Sequence, residues 1–291
     1  MDVLCVGMYR ACSTWQYEVA ADLVEGRLGG ERLGYLTGDE YAALPEANGW
    51  RVLKSHEGHP AFRRALAAGR AVALASVRDP RDVVYSMLHK RSQSFRVFLR
   101  EGMIHQLVAN DRAWARQPAS RRITQRYEAL VEDPERGIAE IADFLGIEVG
   151  IEEVARLAAE YSLEANRRRA LATARRLSAS GIDLSDPAQA TRHDERSLLH
   201  WNHVRRGQVG DWRARAAPME RRVMNRLLGT WINRNGYEPD RLEDLPPESI
   251  RARAEREADQ AIGWARCRLR CAALNHPRAG RLAKRWLGIS P

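Results

Sequence analysis

The chain is poor in cysteine and in aromatic residues, and it has no long apolar run. Four cysteines stand in 291 residues: Cys5, Cys12, Cys267 and Cys271. None forms a C-x-x-C pair, and no Cys/His group has zinc-ligand spacing. That argues against a disulfide scaffold or a structural zinc site and fits a reduced, cytoplasmic setting. No stretch approaches the roughly 20 apolar residues a membrane span needs, and the first residues lack the cationic lead of a secretory signal. Aromatics make up only 7%, which does not suggest a flat hydrophobic slot for a steroid. No internal repeat, nucleic-acid motif or regular aromatic interleaving is visible, so specific nucleic-acid binding is not expected.

What is present suits one large α/β domain with an appendage. Apolar residues at 44% allow a substantial core. The net charge of +9 is unevenly spread, because beyond Ile250 ten Lys/Arg face three Asp/Glu. Such a tail reads first as a solvated helix face and second as a contact with an anionic surface. Its apolar residues Ile262, Trp264, Leu269, Leu282, Trp286 and Leu287 fit packing on the body, in preference to lying on a membrane.

Val3–Gly7, Arg51–Ser55, Ala71–Val77 and Ile123–Tyr127 read as short buried strands. An amphipathic helix is expected over about Ser13–Leu28. Pro80 suits the first turn of a helix running toward Lys90. Asp133-Pro134 opens another helix, with Ile138, Ile141, Ala142 and Leu145 on one face and Gly146 as its stop. Helical patterns dominate from Ile151 to Leu177, and 178–203 is a loop or lid. Met219–Trp231 is helical, and Pro246-Pro247 precedes a basic helical tail. Strands alternating with helices predict a parallel sheet covered on both faces. Gly7, Ser55 and Arg78 then fall on the carboxyl rim, where such sheets bind ligands.

Three segments on that rim are suited to anions. Tyr9-Arg10-Ala11-Cys12-Ser13-Thr14-Trp15 joins a strand to a helix N-terminus, a place where phosphate or sulfate binds well. It is not a Walker A loop, because Cys12 and Ser13 stand where glycine and lysine are required. Arg78 and Ser86 place a guanidinium and a hydroxyl where they could close on one phosphate; a salt bridge among Arg78, Asp79, Arg81 and Asp82 is the plainer reading. Arg205-Arg206-Gly207-Gln208-Val209-Gly210-Asp211-Trp212 sets two guanidiniums beside an exposed glycine N–H. Between them, Lys54-Ser55-His56 pairs a cation with a group able to take a proton near neutral pH. Two bases one residue apart on a strand would share a face.

In order and spacing these segments resemble the PAPS-dependent sulfotransferases, where PAPS is 3′-phosphoadenosine 5′-phosphosulfate. The family's P-K-S-G-T-T-W is met by residues 9–15, K-[ST]-H by 54–56, R-x7-S by Arg78–Ser86, R-K-G-x-x-G-D-W by 205–212, and F-Y-E-D is echoed at Arg126-Tyr127-Glu128-Ala129. The resemblance implies a three-layer α/β/α sulfotransferase fold over residues 1–240, related to P-loop nucleotide-binding folds. Residues 241–291 form a helical extension outside it. It also implies sulfuryl transfer from PAPS to a hydroxyl or amine, with PAP (adenosine 3′,5′-bisphosphate) as product and no required metal. Arg10, Ala11, Cys12, Ser13 and Thr14 would hold the 5′-phosphosulfate, with Trp15 and Tyr127 at the base. Arg78, Ser86, Arg205, Arg206 and Gly207 would take the 3′-phosphate. His56 would be the general base, with Lys54 and Arg10 steadying charge. The acceptor is expected to be a small molecule or a glycoconjugate, and the oligomeric state stays open. A nucleotide phosphotransferase, or a polyanion-binding module with a degenerate nucleotide site, are the alternatives. The departures at Tyr9, Arg10 and Cys12 bear on turnover, and a left-handed backbone at Cys12 would cost about 1–3 kcal/mol.

Overall fold

A computed structural model describes residues 1–202 and 207–275. Five strands among these residues form one sheet: β1 (Asp2–Gly7), β2 (Glu31–Tyr35), β3 (Arg51–Lys54), β4 (Ala71–Val77) and β5 (Arg122–Arg126). Their order is β2-β3-β1-β4-β5, and every neighbouring pair is parallel. β1 and β4 are buried at every residue. A strand covered on both faces has no solvent side to alternate toward, which is why Val3–Val6 and Ala71–Ala75 read as apolar runs without alternation. Cys5 pairs with Lys54 and Gly7 with Ser76, so the carboxyl ends of β3, β1 and β4 lie side by side. A Cβ on Gly7 would stand 2.2 Å from the Ser76 carbonyl oxygen; only glycine lets the chain leave the sheet there.

Helices cover the sheet. In chain order they are α1 (Ser13–Leu28), α2 (Gly38–Ala42), α3 (Pro60–Ala67), α4 (Pro80–Arg91), α5 (Phe95–Arg100), α6 (Met103–Ala115), α7 (Tyr127–Glu132) and α8 (Pro134–Leu145). Then follow α9 (Ile151–Glu160), α10 (Leu163–Ala179), α11 (Trp212–Arg215), α12 (Pro218–Arg234) and α13 (Ile250–Asn275). Val3 and Cys5 pack with Val19, Leu23, Ile138 and Ile141, while Leu4 and Val6 pack with Phe62, Leu66 and Trp114. Alternate residues of one strand thus feed two cores, and the architecture is a three-layer α/β/α sandwich.

α8 forms as its sequence dictates. Asp133 caps it by accepting from the Arg136 N–H, Pro134 takes the first turn, and Gly146 closes it at φ +69°. α1 corrects an expectation. Its bounds agree, but it is not amphipathic: nearly every residue from Ser13 to Val24 is buried. The polar residues that suggested a wet face are enclosed and paired. Gln16 donates to Gln125 at 2.9 Å, and Glu18 accepts two bonds from Arg169. The edge strand β2 is an addition to the sequence reading.

α13 packs against α5 and α6, with Arg96 2.7 Å from Asp259. The crossing is close: a Cβ on Gly102 would meet the Gly263 carbonyl oxygen at 2.2 Å, and one on Gly263 would meet that of Leu99 at 2.1 Å. Trp264 and Leu269 remain exposed; Leu282, Trp286 and Leu287 lie outside the described residues. Among those described, no helix is long and apolar enough to cross a membrane.

Candidate active site

The first loop leaves β1 at Gly7 and becomes α1 at Ser13. Within it Arg10 and Cys12 take φ +59° and +76°. Left-handed residues in such a loop turn backbone N–H groups toward a common concavity. Cys12 is the N-cap of α1 without a side-chain cap bond, and no acidic residue stands in the first turn. The leading N–H groups and the positive end of the helix are therefore well suited to an anion.

Three loops meet at this point. Arg10 Nε donates to Ser86 Oγ at 2.9 Å. Arg78 donates to the Arg10 carbonyl at 3.4 Å and to the Gln208 carbonyl at 2.9 Å. The Gly210 and Trp212 N–H groups donate to the two oxygens of Asp82 at 2.7 and 3.0 Å. The segment after Gly207 is thus pinned to the start of α4; Arg205 and Arg206 lie outside the described residues. The expected salt bridges also form, Arg78–Asp82 at 3.6 Å and Arg81–Asp79 at 2.7 Å. Arg78 nevertheless keeps a buried Nε with no hydrogen-bond partner among the described residues, and its guanidinium lies 3.9 Å over the Tyr127 ring.

These groups line a cavity of about 280 Å³. Arg10, Thr14, Arg78 and Ser86 give it a cationic, hydroxyl-bearing part; Trp15, Leu130, Val131, Pro134 and Leu163 give it an apolar part. Cys12, Tyr127 and Gly207 also reach it. Ala11 and Ser13, expected at the site, are buried and do not line it.

Lys54 and His56 do not line the cavity either. Lys54 reaches it from behind, its Nζ donating to Thr14 Oγ1 at 2.6 Å. Burial, helped by Arg10, lowers Lys54 to about 8. His56 stands beyond the end of β3, so the shared-face argument does not place it; a bond to the start of the first loop does. Its Nδ1 is 3.3 Å from the Gly7 carbonyl oxygen. A carbonyl only accepts, which assigns the ring proton to Nδ1 and leaves the Nε2 lone pair available. Burial first, then Lys54, lowers His56 to about 3, so the ring is neutral. Tyr9 and Tyr35 flank it, with ring centroids 4.5 and 6.3 Å away.

Several cavity residues escaped the sequence reading. Tyr161, Ser162, Leu163 and Asn166 come from the α9–α10 junction, where Ser162 caps α10 by accepting from the Ala165 N–H. The signal was there: a serine between two helical runs is an N-cap. Glu18 also lines the cavity, and burial raises it to about 7 despite Arg169. Among the described residues, no group of three His, Cys, Asp or Glu side chains could hold a metal ion.

The sulfotransferase domain model matches residues 33–236. Mouse sulfotransferase SULT7A1, solved in complex with PAP, superposes with a TM-score of 0.59 at 16% identity, covering 88% of this chain and 87% of that one. Retinol dehydratase with androsterone and the inactive cofactor PAP gives 0.51 at 19% identity, covering 86% and 83%. Its complex with retinol and PAP gives 0.54 at 18%, covering 85% and 83%. At such identities the superpositions speak for the fold. No curated protein matches the chain significantly.

Proposed function

The chain belongs to the sulfotransferase domain family, and on that premise we propose how its residues move a sulfuryl group from PAPS to an acceptor hydroxyl. The enzyme is a PAPS-dependent sulfotransferase. What carries the assignment of residues is the meeting of Arg10, Arg78 and Ser86 with the 207–212 segment around one cavity. A nucleotide with phosphate at both its 5′ and 3′ positions needs cations from more than one loop; a mononucleotide does not.

The fit is physical. The backbone of 10–14 and the α1 N-terminus would hold the 5′-phosphosulfate. Arg78 with its partnerless Nε, Ser86 and Gly207 would hold the 3′-phosphate, joined by Arg205 and Arg206. The apolar part, with Trp15 and Tyr127, suits a flat base. His56 Nε2 would accept the proton of the acceptor hydroxyl as that oxygen bonds to sulfur and the bond from sulfur to the phosphate oxygen breaks. Lys54 and Arg10 supply positive charge where it builds. That charge replaces the usual work of a magnesium ion, so no metal is invoked. An anion in the cradle also cancels part of the field that depresses His56, making it a better base once the donor is bound.

Residues 1–240 would carry this chemistry and 241–291 would brace it through α13. The four free cysteines support a cytoplasmic setting. The acceptor hydroxyl would sit on a small molecule or a glycan. Transfer from radiolabelled PAPS to paired phenol, sugar and glycopeptide panels, with a chelator present, tests the reading. Label in an acceptor is expected. Absence of transfer together with absence of PAP binding would contradict it.

A further inference from the structure

The cavity holds one feature that phosphate binding does not explain. Among the described residues lining it, Glu18 is the only acid. A carboxylate on the wall of a site for two phosphates repels them unless it serves another part of the ligand. Its place in the fold gives it that other part. Glu18 lies three residues after Trp15 on α1, and residues three apart share a helix face. Trp15 belongs to the apolar part of the cavity, whereas Arg10, Arg78 and Ser86 belong to the cationic part.

The carboxylate is held in a fixed plane. Arg169 donates to its two oxygens, Nη1 to Oε1 at 2.5 Å and Nη2 to Oε2 at 2.8 Å. That fork leaves each oxygen a further lone pair. Arg169 is itself braced: Asn166 Oδ1 accepts from it, and its guanidinium lies 5.0 Å over the Tyr161 ring. Asn166 in turn donates to the Tyr161 carbonyl oxygen at 2.9 Å. Tyr161, Leu163 and Asn166 line the same cavity as Glu18. Glu18 is only 2% exposed, so water competes little for its remaining lone pairs, and a buried acceptor gains from a donor. Burial raises Glu18 to about 7; ionised or protonated, it keeps an oxygen able to accept. A pair that served only to join α1 to α10 would need no place on the cavity wall.

Resting on the sulfuryl-transfer reading above, we propose that Glu18 is a specificity-determining residue of the donor site, its carboxylate accepting a hydrogen bond from the exocyclic 6-amino group of the purine that stacks beside Trp15. A purine with a 6-oxo group in place of the amine would set one acceptor against another and be refused. The apolar part of the cavity would then choose the base, while the cationic part holds the phosphates.

The test is titration calorimetry of the full chain with PAP and with the 3′,5′-bisphosphates of inosine and purine riboside, at about pH 8, above the point where Glu18 titrates. Both analogues lack the amine, and inosine alone carries the oxo group. The unaltered protein should bind PAP about tenfold or more tightly than the inosine ligand, with the purine riboside between them. Glu18→Gln presents an amide that can turn to accept or donate, and should bring PAP and the inosine ligand within about threefold. Glu18→Asp keeps a charge opposite Arg169 but withdraws the oxygens, so it should also lower the ratio severalfold; it gives the reading even if Glu18→Gln does not fold. Equal affinity of the unaltered protein for PAP and the inosine ligand overturns the proposal. So does a ratio left unchanged in a folded Glu18 variant. Transfer from PAPS, followed on the same samples, separates the two readings. Retained PAP binding and transfer without a preference for the amine defeats only the role of Glu18. Absence of both PAP binding and transfer in the unaltered protein defeats the sulfotransferase reading beneath it.

Discussion

Arg10 Nε donates to Ser86 Oγ at 2.9 Å, joining the loop after β1 to a helix 76 residues further on. In the proposed pose of the nucleotide the bond would tie the 5′ end of the cradle to its 3′ end, so neither side chain would act alone. Arg10→Ala should weaken PAP binding about 10- to 100-fold, the worth of a charge-assisted contact of ~1.5–3 kcal/mol. Arg10→Lys keeps the charge but not the fork and should fall between. Titration calorimetry checks both, and unchanged affinity in Arg10→Ala would remove Arg10 from the site.

His56 is held by the Gly7 carbonyl with its Nε2 free. His56→Ala should keep PAP affinity within about threefold while lowering kcat by about 10²–10⁴, the range for a lost general base. Pre-steady-state transfer with bound PAPS gives the comparison. Full turnover in the variant would move the base elsewhere.

Cys12 carries a left-handed backbone at φ +76°. Cys12→Gly should relieve about 1–3 kcal/mol of strain, less the lost burial of a half-buried thiol, for a net gain of about 1 kcal/mol in denaturant unfolding. A loss of stability would show that the thiol's packing outweighs the strain.

Lys54 titrates near 8 in the free protein, below its ordinary 10.5, because burial and Arg10 disfavour its charge. A bound bisphosphate would reverse that preference. Between pH 8 and 10.5, the free lysine is mostly neutral and the bound one is charged, so PAP binding should take up a proton. Affinity should fall as pH rises through that window. Calorimetry at pH 9 in buffers of different ionisation enthalpy reads the uptake directly, and Lys54→Met should abolish it.

Gly263 lets α13 approach Leu99 and Gly102 where no Cβ fits. Gly263→Ala should cost about 1–3 kcal/mol by overpacking and lower Tm by several degrees, with PAP binding retained. Equal Tm would mean that the crossing is looser than it stands.

The parts of the fold legible in the sequence are those where one local rule decides. β4 reads as a strand because Ala71–Val77 is apolar but for Ser76 and buried throughout. α8 reads as a helix because Asp133, Pro134 and Gly146 mark both of its ends. β2 was not legible: Glu31–Tyr35 is a half-exposed edge strand with charges and Gly34, and its pairing with β3 is a long-range fact. α1 misled for a related reason, since Gln16 and Glu18 are polar yet buried, and their partners Gln125 and Arg169 are over a hundred residues away. The cationic side of the cavity, with Arg10, Arg78 and Ser86, was legible because helix N-termini and arginines announce themselves. Its apolar wall at Leu163 and Pro134 was not, since nothing in an ordinary leucine says which cavity it faces.

The account stands on cations from separate loops sharing one doubly phosphorylated nucleotide, and a side-by-side calorimetric titration with adenosine 3′,5′-bisphosphate and AMP tests that most directly. The bisphosphate should bind at least tenfold more tightly, and Arg78→Ala should erase most of the difference. Equal affinities for the two nucleotides would contradict it.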